Sequence, residues 1–134
     1  MSNETKSPGR RHERKQASIP VKISTIEAER DPWTGRRYFR ASEETCANLS
    51  RGGAFVRTVE LLHPGQRVLL EMNLPTGSLE AIGRIAWTKR SLSPHTSDFD
   101  TGVGVEFLGA ESEHLEALAR FLESAPSDAV ERGN

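Results

Sequence analysis

The stretch Arg67-Val68-Leu69-Leu70-Glu71-Met72-Asn73-Leu74-Pro75-Thr76-Gly77-Ser78-Leu79-Glu80-Ala81-Ile82-Gly83-Arg84-Ile85-Ala86-Trp87-Thr88 decides the fold. Val68, Leu70 and Met72 alternate with Arg67, Leu69, Glu71 and Asn73. After Pro75-Thr76-Gly77, one face takes Leu79, Ala81, Gly83, Ile85 and Trp87 and the other Glu80, Ile82, Arg84 and Ala86. A period of two is that of a strand with one buried face, and Pro-Thr-Gly between two such runs is turn chemistry, so the stretch predicts an antiparallel hairpin. Trp87, in phase with Ile85, is expected in the core.

The same period recurs on both sides. Upstream, Ile19, Val21 and Ile23 alternate with Pro20, Lys22 and Ser24, and Pro20 predicts an edge or a strand start. The cluster Asp31-Pro32-Trp33-Thr34-Gly35 is a turn leading into a polar extended segment, Arg36 to Cys46, which makes a long hairpin with the first strand. Asn48-Leu49-Ser50-Arg51-Gly52-Gly53 then reverses the chain sharply into Ala54-Phe55-Val56, and Pro64-Gly65 is another turn. Downstream, residues 89–100 read as a polar loop and Thr101 to Leu108 as the last strand, with Val103, Val105 and Phe107 on one side. The period then changes: Leu115, Leu118, Ala119 and Leu122 fall at helical spacing, and Pro126 ends an amphipathic helix of about three turns. About six short strands and one terminal helix predict an all-β domain, a small antiparallel barrel or strongly curved sheet with the helix lidding an open end. Residues 1–17 have no apolar period and read as a flexible basic arm, residues 18–124 as the barrel with its helix, and residues 125–134 as a disordered tail.

At 134 residues, 35% hydrophobic and 28% charged, the chain has the composition of one small domain and too little interior for a deep catalytic cleft. Binding at the surface is the expectation. No apolar run approaches the roughly 18 to 20 residues that span a bilayer, and Met1 to Lys15 is polar where a signal peptide needs an apolar stretch, so the protein reads as cytoplasmic, without membrane insertion. The single cysteine, Cys46, excludes an internal disulfide and a cysteine-based zinc site and is expected in the core. His12, His63, His95 and His114 are scattered, Gly102-Val103-Gly104 lies within a strand, and Pro75-Thr76-Gly77-Ser78 lacks the phosphate-binding lysine. No catalytic residue, metal or cofactor is expected.

Charge is unevenly placed although the net charge is -1: residues 1–40 carry ten Lys or Arg against five acids, and residues 98–134 nine acids against Arg120 and Arg132. A basic segment attracts anions whatever the sum, since the local field does the steering. Arg10 and Arg14, four apart, lie on one side of either an extended or a helical backbone, and two guanidinia suit both phosphate oxygens and the O6 and N7 acceptors of guanine. A solvated basic tail explains the same residues without a ligand. Asn48 and Ser50, two apart, face one way while Leu49 turns to the core, and amide and hydroxyl groups can read a base edge. Gly53 offers either an unusual backbone angle or room for a ligand against the main chain. A hairpin turn needing these residues for geometry alone is the competing reading.

Taken together, Arg-x-x-x-Arg at Arg10 and Arg14, Asn-x-Ser-x-x-Gly at Asn48, Ser50 and Gly53 running into Gly-Ala-Phe-Val, and Gly-Val-Gly-Val-Glu-Phe before a final helix resemble the PilZ domain family. The resemblance covers roughly Arg10 to Glu123. It implies a six-stranded antiparallel β-barrel with a C-terminal α-helix that binds the bacterial second messenger cyclic di-GMP. It also implies that Arg10 and Arg14 clamp phosphates and guanine faces, while Asn48, Ser50 and Gly53 contact a guanine and its surroundings. Arg11, in register with Lys15, offers a competing pair, and Arg51 a further phosphate contact.

The resulting expectation is a receptor with no output domain of its own, monomeric or weakly dimeric. Ligand-driven ordering of its arm would change the surface offered to a protein partner in motility, polarity, pilus or exopolysaccharide control. An adaptor with the same barrel and little nucleotide affinity is the alternative. A non-specific DNA or RNA binder is disfavoured by the few aromatics and the acidic last third. Trp33, at a turn tip, is either a partner contact or a loop-packing residue.

Overall fold

The computed structural model describes residues 14–90 and 101–124; the expected arm up to residue 13, most of the polar loop, Pro126 and the tail lie outside them. Among the described residues eight strands precede one helix: β1 (Arg14–Thr25), β2 (Glu29–Arg30), β3 (Arg37–Tyr38), β4 (Ala41–Ser50), β5 (Gly53–Arg57), β6 (Arg67–Leu74), β7 (Gly77–Lys89), β8 (Gly102–Gly109) and α1 (Ser112–Ser124). Six of them close an antiparallel barrel in the order β1-β4-β5-β8-β7-β6, and β2 and β3 form a separate two-stranded ribbon. The all-β, six-stranded barrel with a C-terminal helix is therefore the architecture.

Alternation sets which side chains fill the barrel. Val21 and Ile23 from β1, Cys46 and Leu49 from β4, Val56 from β5, Val68, Leu70 and Met72 from β6, Leu79, Ala81 and Ile85 from β7, and Val103 and Val105 from β8 are all buried. The deciding hairpin pairs Arg67 with Arg84 through to Leu74 with Gly77.

Three features depart from the sequence reading. β1 starts at Arg14, so residues 14–17, assigned above to the arm, belong to a strand, with residues 14–16 paired to β4; backbone hydrogen bonds need no apolar period. Pro20 is at neither a strand start nor a sheet edge, but β6 joins β1 only from Val21 onward, so the proline sits where its missing N–H costs no bond on that flank. The helix is rotated by about one residue from the expected face. Ala117, Leu118, Phe121 and Leu122 are buried and Leu115 is exposed, because Phe121 adds a large ring to the packed stripe. The β6–β7 turn seats the helix: the Thr76 hydroxyl donates to the Ala117 carbonyl at 2.6 Å, and Arg120 donates to the Thr76 carbonyl at 3.1 Å.

Candidate functional site

An open concavity of about 570 Å³ lies on the outer wall where β4, β5, β7 and β8 meet, lined among others by Asn48, Ser50, Gly53, Phe55, Trp87 and Glu106. Its shape comes from places where the ladders slip. The register shifts between Gln16 and Ile19 on β1, between Cys46 and Asn48 on β4, and between Ile85 and Trp87 on β7. A bulge inserts one residue, bends the strand and re-aims the side chains beyond it.

The β4 slip leaves Cys46 and Leu49 both buried while Asn48 and Ser50 open outward, as their spacing predicted. The Cys46 thiol is pushed up to about 12 by burial, opposed by its hydrogen bond to the Asn48 carbonyl. Among the described residues the Asn48 carboxamide has no hydrogen-bond partner, so its donor and acceptor are available in the concavity. Ser50 is committed to the turn: its Oγ accepts from the backbone N–H groups of Gly52 and Gly53, both at 3.2 Å, and is 3.3 Å from the Gly53 carbonyl. Gly53 does not take a left-handed backbone angle; it lines the concavity, and because a Cβ there would collide with the Val105 carbonyl oxygen it also lets the β5 and β8 backbones approach closely. The turn residues thus hold a shape around Asn48.

Trp87 corrects the sequence reading. It is 46% exposed, because Ala86 is the extra residue of the β7 slip: Ile85 stands opposite Val105, yet Trp87 is opposite Gly104. The indole lies against Gly104, where any Cβ would strike the ring, and a Cβ at Gly102 would come within 2.8 Å of the Phe55 ring. Phe55 and Trp87 stack with centroids 5.5 Å apart and planes 15° apart. The two glycines of the Gly-Val-Gly-Val run are therefore the floor under an aromatic shelf; their solvent-facing phase in an otherwise apolar strand is the signal that something flat covers them.

Of the other candidates, Arg14 stands directly across from Ser50 in the β1–β4 register, next to Lys15 opposite Leu49 and Gln16 opposite Asn48. Arg10 and Arg11 lie outside the described residues. Arg51 is turned to the end of α1, 3.5 Å from Glu123, and is not among the lining residues. Glu106 brings a carboxylate to the rim, paired across the ladder with Arg84. Away from this site, Glu111, Glu113 and His114 bring three potential ligand atoms within 4.8 Å, a grouping the spacing did not suggest, but His114 Nδ1 already lies 2.8 Å from the Ser78 carbonyl. No helix among the described residues is long and apolar enough to cross a membrane.

A closed six-stranded antiparallel barrel with a C-terminal helix, carrying an aromatic shelf over two glycines on its wall, defines the class of fold. The family model of the PilZ domain matches residues 8–124, and the chain belongs to that family. It is similar in fold to the Bacillus subtilis inhibitor of motility MotI/DgrA, at 14% identity and a TM-score of 0.66, covering 93% of this chain and 53% of that one. The chain thus spans about half the length of that protein. It is also similar to the PilZ domain of CeSA from a cellulose-synthesizing bacterium (18% identity, TM-score 0.53, 84% of this chain and 96% of that one). A third similar structure is the PilZ domain of YcgR from Escherichia coli with c-di-GMP (19% identity, TM-score 0.58, 92% and 95%). No curated protein matches the chain.

Proposed function

We propose that this protein is a cyclic di-GMP receptor that passes the second-messenger level to a protein partner, in control of motility, polarity, pili or exopolysaccharide. The observation that carries the reading is the register of Arg14 opposite Ser50, which brings the end of the first motif to the rim of the concavity that Asn48 and the aromatic shelf furnish. A cyclic dinucleotide presents two phosphate charges and two guanines, and each has a counterpart here. The Asn48 carboxamide reads a guanine edge, Ser50 and Gly53 keep it in place, and the Arg14 and Arg10 guanidinia take phosphates and guanine faces. The exposed face of Trp87 supplies a stacking surface that the motifs do not include. Arg51 is spoken for by Glu123 and is left out of the clamp.

Membership of the PilZ domain family, and a c-di-GMP complex of a structurally similar PilZ domain, support this assignment. Calorimetric titration of the full chain with cyclic di-GMP tests it. Charge-assisted hydrogen bonds are worth about 1.5 to 3 kcal/mol, so Arg14→Ala is expected to weaken binding by roughly one to two orders of magnitude. Asn48→Ala is expected to cost about tenfold with the melting temperature unchanged. A titration without heat at any concentration overturns the receptor reading and leaves a PilZ-fold adaptor that works through protein contacts alone.

A further inference from the structure

The β2–β3 ribbon, at the far end of β1 and β4 from the concavity, carries an arrangement that nucleotide binding does not use. Its register sets Arg30 directly opposite Arg37. Like charges facing each other across a two-stranded ribbon are destabilising, and among the described residues neither has an ion-pair partner; nor does Arg36. Asp31 forms no ion pair with them among the described residues; its Oδ1 accepts from the backbone N–H groups of Trp33 at 2.7 Å and Thr34 at 3.2 Å, and its single charge leaves the three arginines in excess at the tip. Arg30 donates to the Gly35 carbonyl at 2.7 Å, which closes the tip on itself.

Between these arginines Trp33 is 92% exposed, and Phe39, two residues beyond Arg37, is 64% exposed. The ribbon is nonetheless firmly seated. At its base Arg40 donates to Glu29 at 2.8 Å and to the Leu61 carbonyl at 2.7 Å, and Gln66 reaches Glu29 at 3.2 Å. An ordered projection with an uncovered indole at its point and unneutralised guanidinia on its flanks is matched to a surface that is anionic outside and apolar a few ångströms in.

We infer that the β2–β3 ribbon is a docking tip for an anionic lipid bilayer, with Trp33 entering the headgroup layer and Arg30, Arg36 and Arg37 taking lipid phosphates. Indole is enriched at that layer because its body is apolar and its N–H polar, and each arginine near an anionic leaflet adds electrostatic attraction. Shape favours a bilayer over a protein. No residue of 29–39 lines the concavities found at Asn48, Thr58, Ile23 and Pro20, so the tip offers a projecting ring, Trp33 at 92% exposure, and not a pocket that would receive a partner's side chain. A headgroup layer yields around such a point without a preformed pocket.

Vesicle co-sedimentation of the full chain tests the assignment, with phosphatidylcholine alone against phosphatidylcholine containing one quarter phosphatidylglycerol. Binding is expected only to the anionic vesicles and is expected to fall with salt. Arg37→Glu turns the opposed arginines into an ion pair while Arg30 keeps its bond to Gly35, so the ribbon stays folded; it is expected to weaken vesicle binding by about tenfold or more. Trp33→Ala is expected to weaken it as well. In a Trp87→Phe background, where Trp33 is the sole tryptophan, anionic vesicles are expected to shift its emission to the blue, and brominated lipid to quench it. The inference is overturned if the protein stays in the supernatant, if Arg37→Glu pellets like the parent, as it would were the basic residues 1–15 responsible, or if the Trp33 emission does not move. A result in which the ribbon variants abolish capture by a protein but the parent ignores vesicles overturns it equally.

Discussion

The long ribbon of β1 and β4 ends in two different ways. At one end Arg14 faces Ser50 beside a concavity with bulged walls; at the other, roughly 35 Å along the strands, Thr25 and Arg40 exchange hydrogen bonds at the root of a projecting tip. Both ends bring an aromatic ring to the surface, Trp87 at the first and Trp33 at the second. In the first, the ring lies flat on glycine and the polar groups surround it; in the second, the ring stands free and the guanidinia flank it. Similar residue types thus suit a discrete ligand where the wall curves inward and an extended surface where the chain projects, and backbone geometry makes the difference.

The largest effect that would break this contrast is at Leu49, whose fully buried side chain anchors the strand between Asn48 and Ser50. Leu49→Ala is expected to cost about 2 to 5 kcal/mol in urea unfolding and to loosen the site with the core. Trp87→Ala is the sharper instrument. Removing a stacking surface worth about 1 to 3 kcal/mol per base should lower cyclic di-GMP affinity by roughly tenfold or more, while vesicle binding at the tip is unchanged. Arg40→Ala acts at the opposite end: hydrogen exchange in residues 29–38 is expected to quicken, with nucleotide affinity held at the parent value.

An effect confined to alkaline conditions concerns pH. Burial raises the Cys46 thiol to about 12 in the folded state, from an ordinary value near 9. The unfolded chain therefore loses this proton first as pH rises. Its contribution to stability is whole below about pH 9 and is lost progressively toward pH 12. Chemical denaturation across that range should show a steeper decline in the parent than in Cys46→Ala, and thiol reagents at pH 8 should react only after unfolding.

Much of this was legible in the residues. Alternation in 67–88 and around Val21, Val103 and Val105 located the barrel interior, and the spacing of Asn48, Leu49 and Ser50 gave their opposite facings. What escaped was register. A bulge is a backbone event of one residue, and nothing in the apolar period announces that Ala86 has no partner, so Trp87 read as core although it lies on the outer wall. The start of β1 escaped for a related reason: residues 14–16 are paired with β4 through the backbone ladder, which is indifferent to side-chain polarity. The ribbon of β2 and β3 was hidden within a turn cluster, since two-residue strands are too short to show a period.

The contact of Trp87 with Gly104 binds the fates of two positions that are 17 residues apart in the chain. Natural variation on this plan should respect that partnership: a methyl or anything larger at 104 can be inherited only together with a smaller residue at 87, whereas glycine at 104 leaves 87 free to vary. Descendants that lose the indole would in turn release the strand from its glycine, and the two changes should travel together through the lineage.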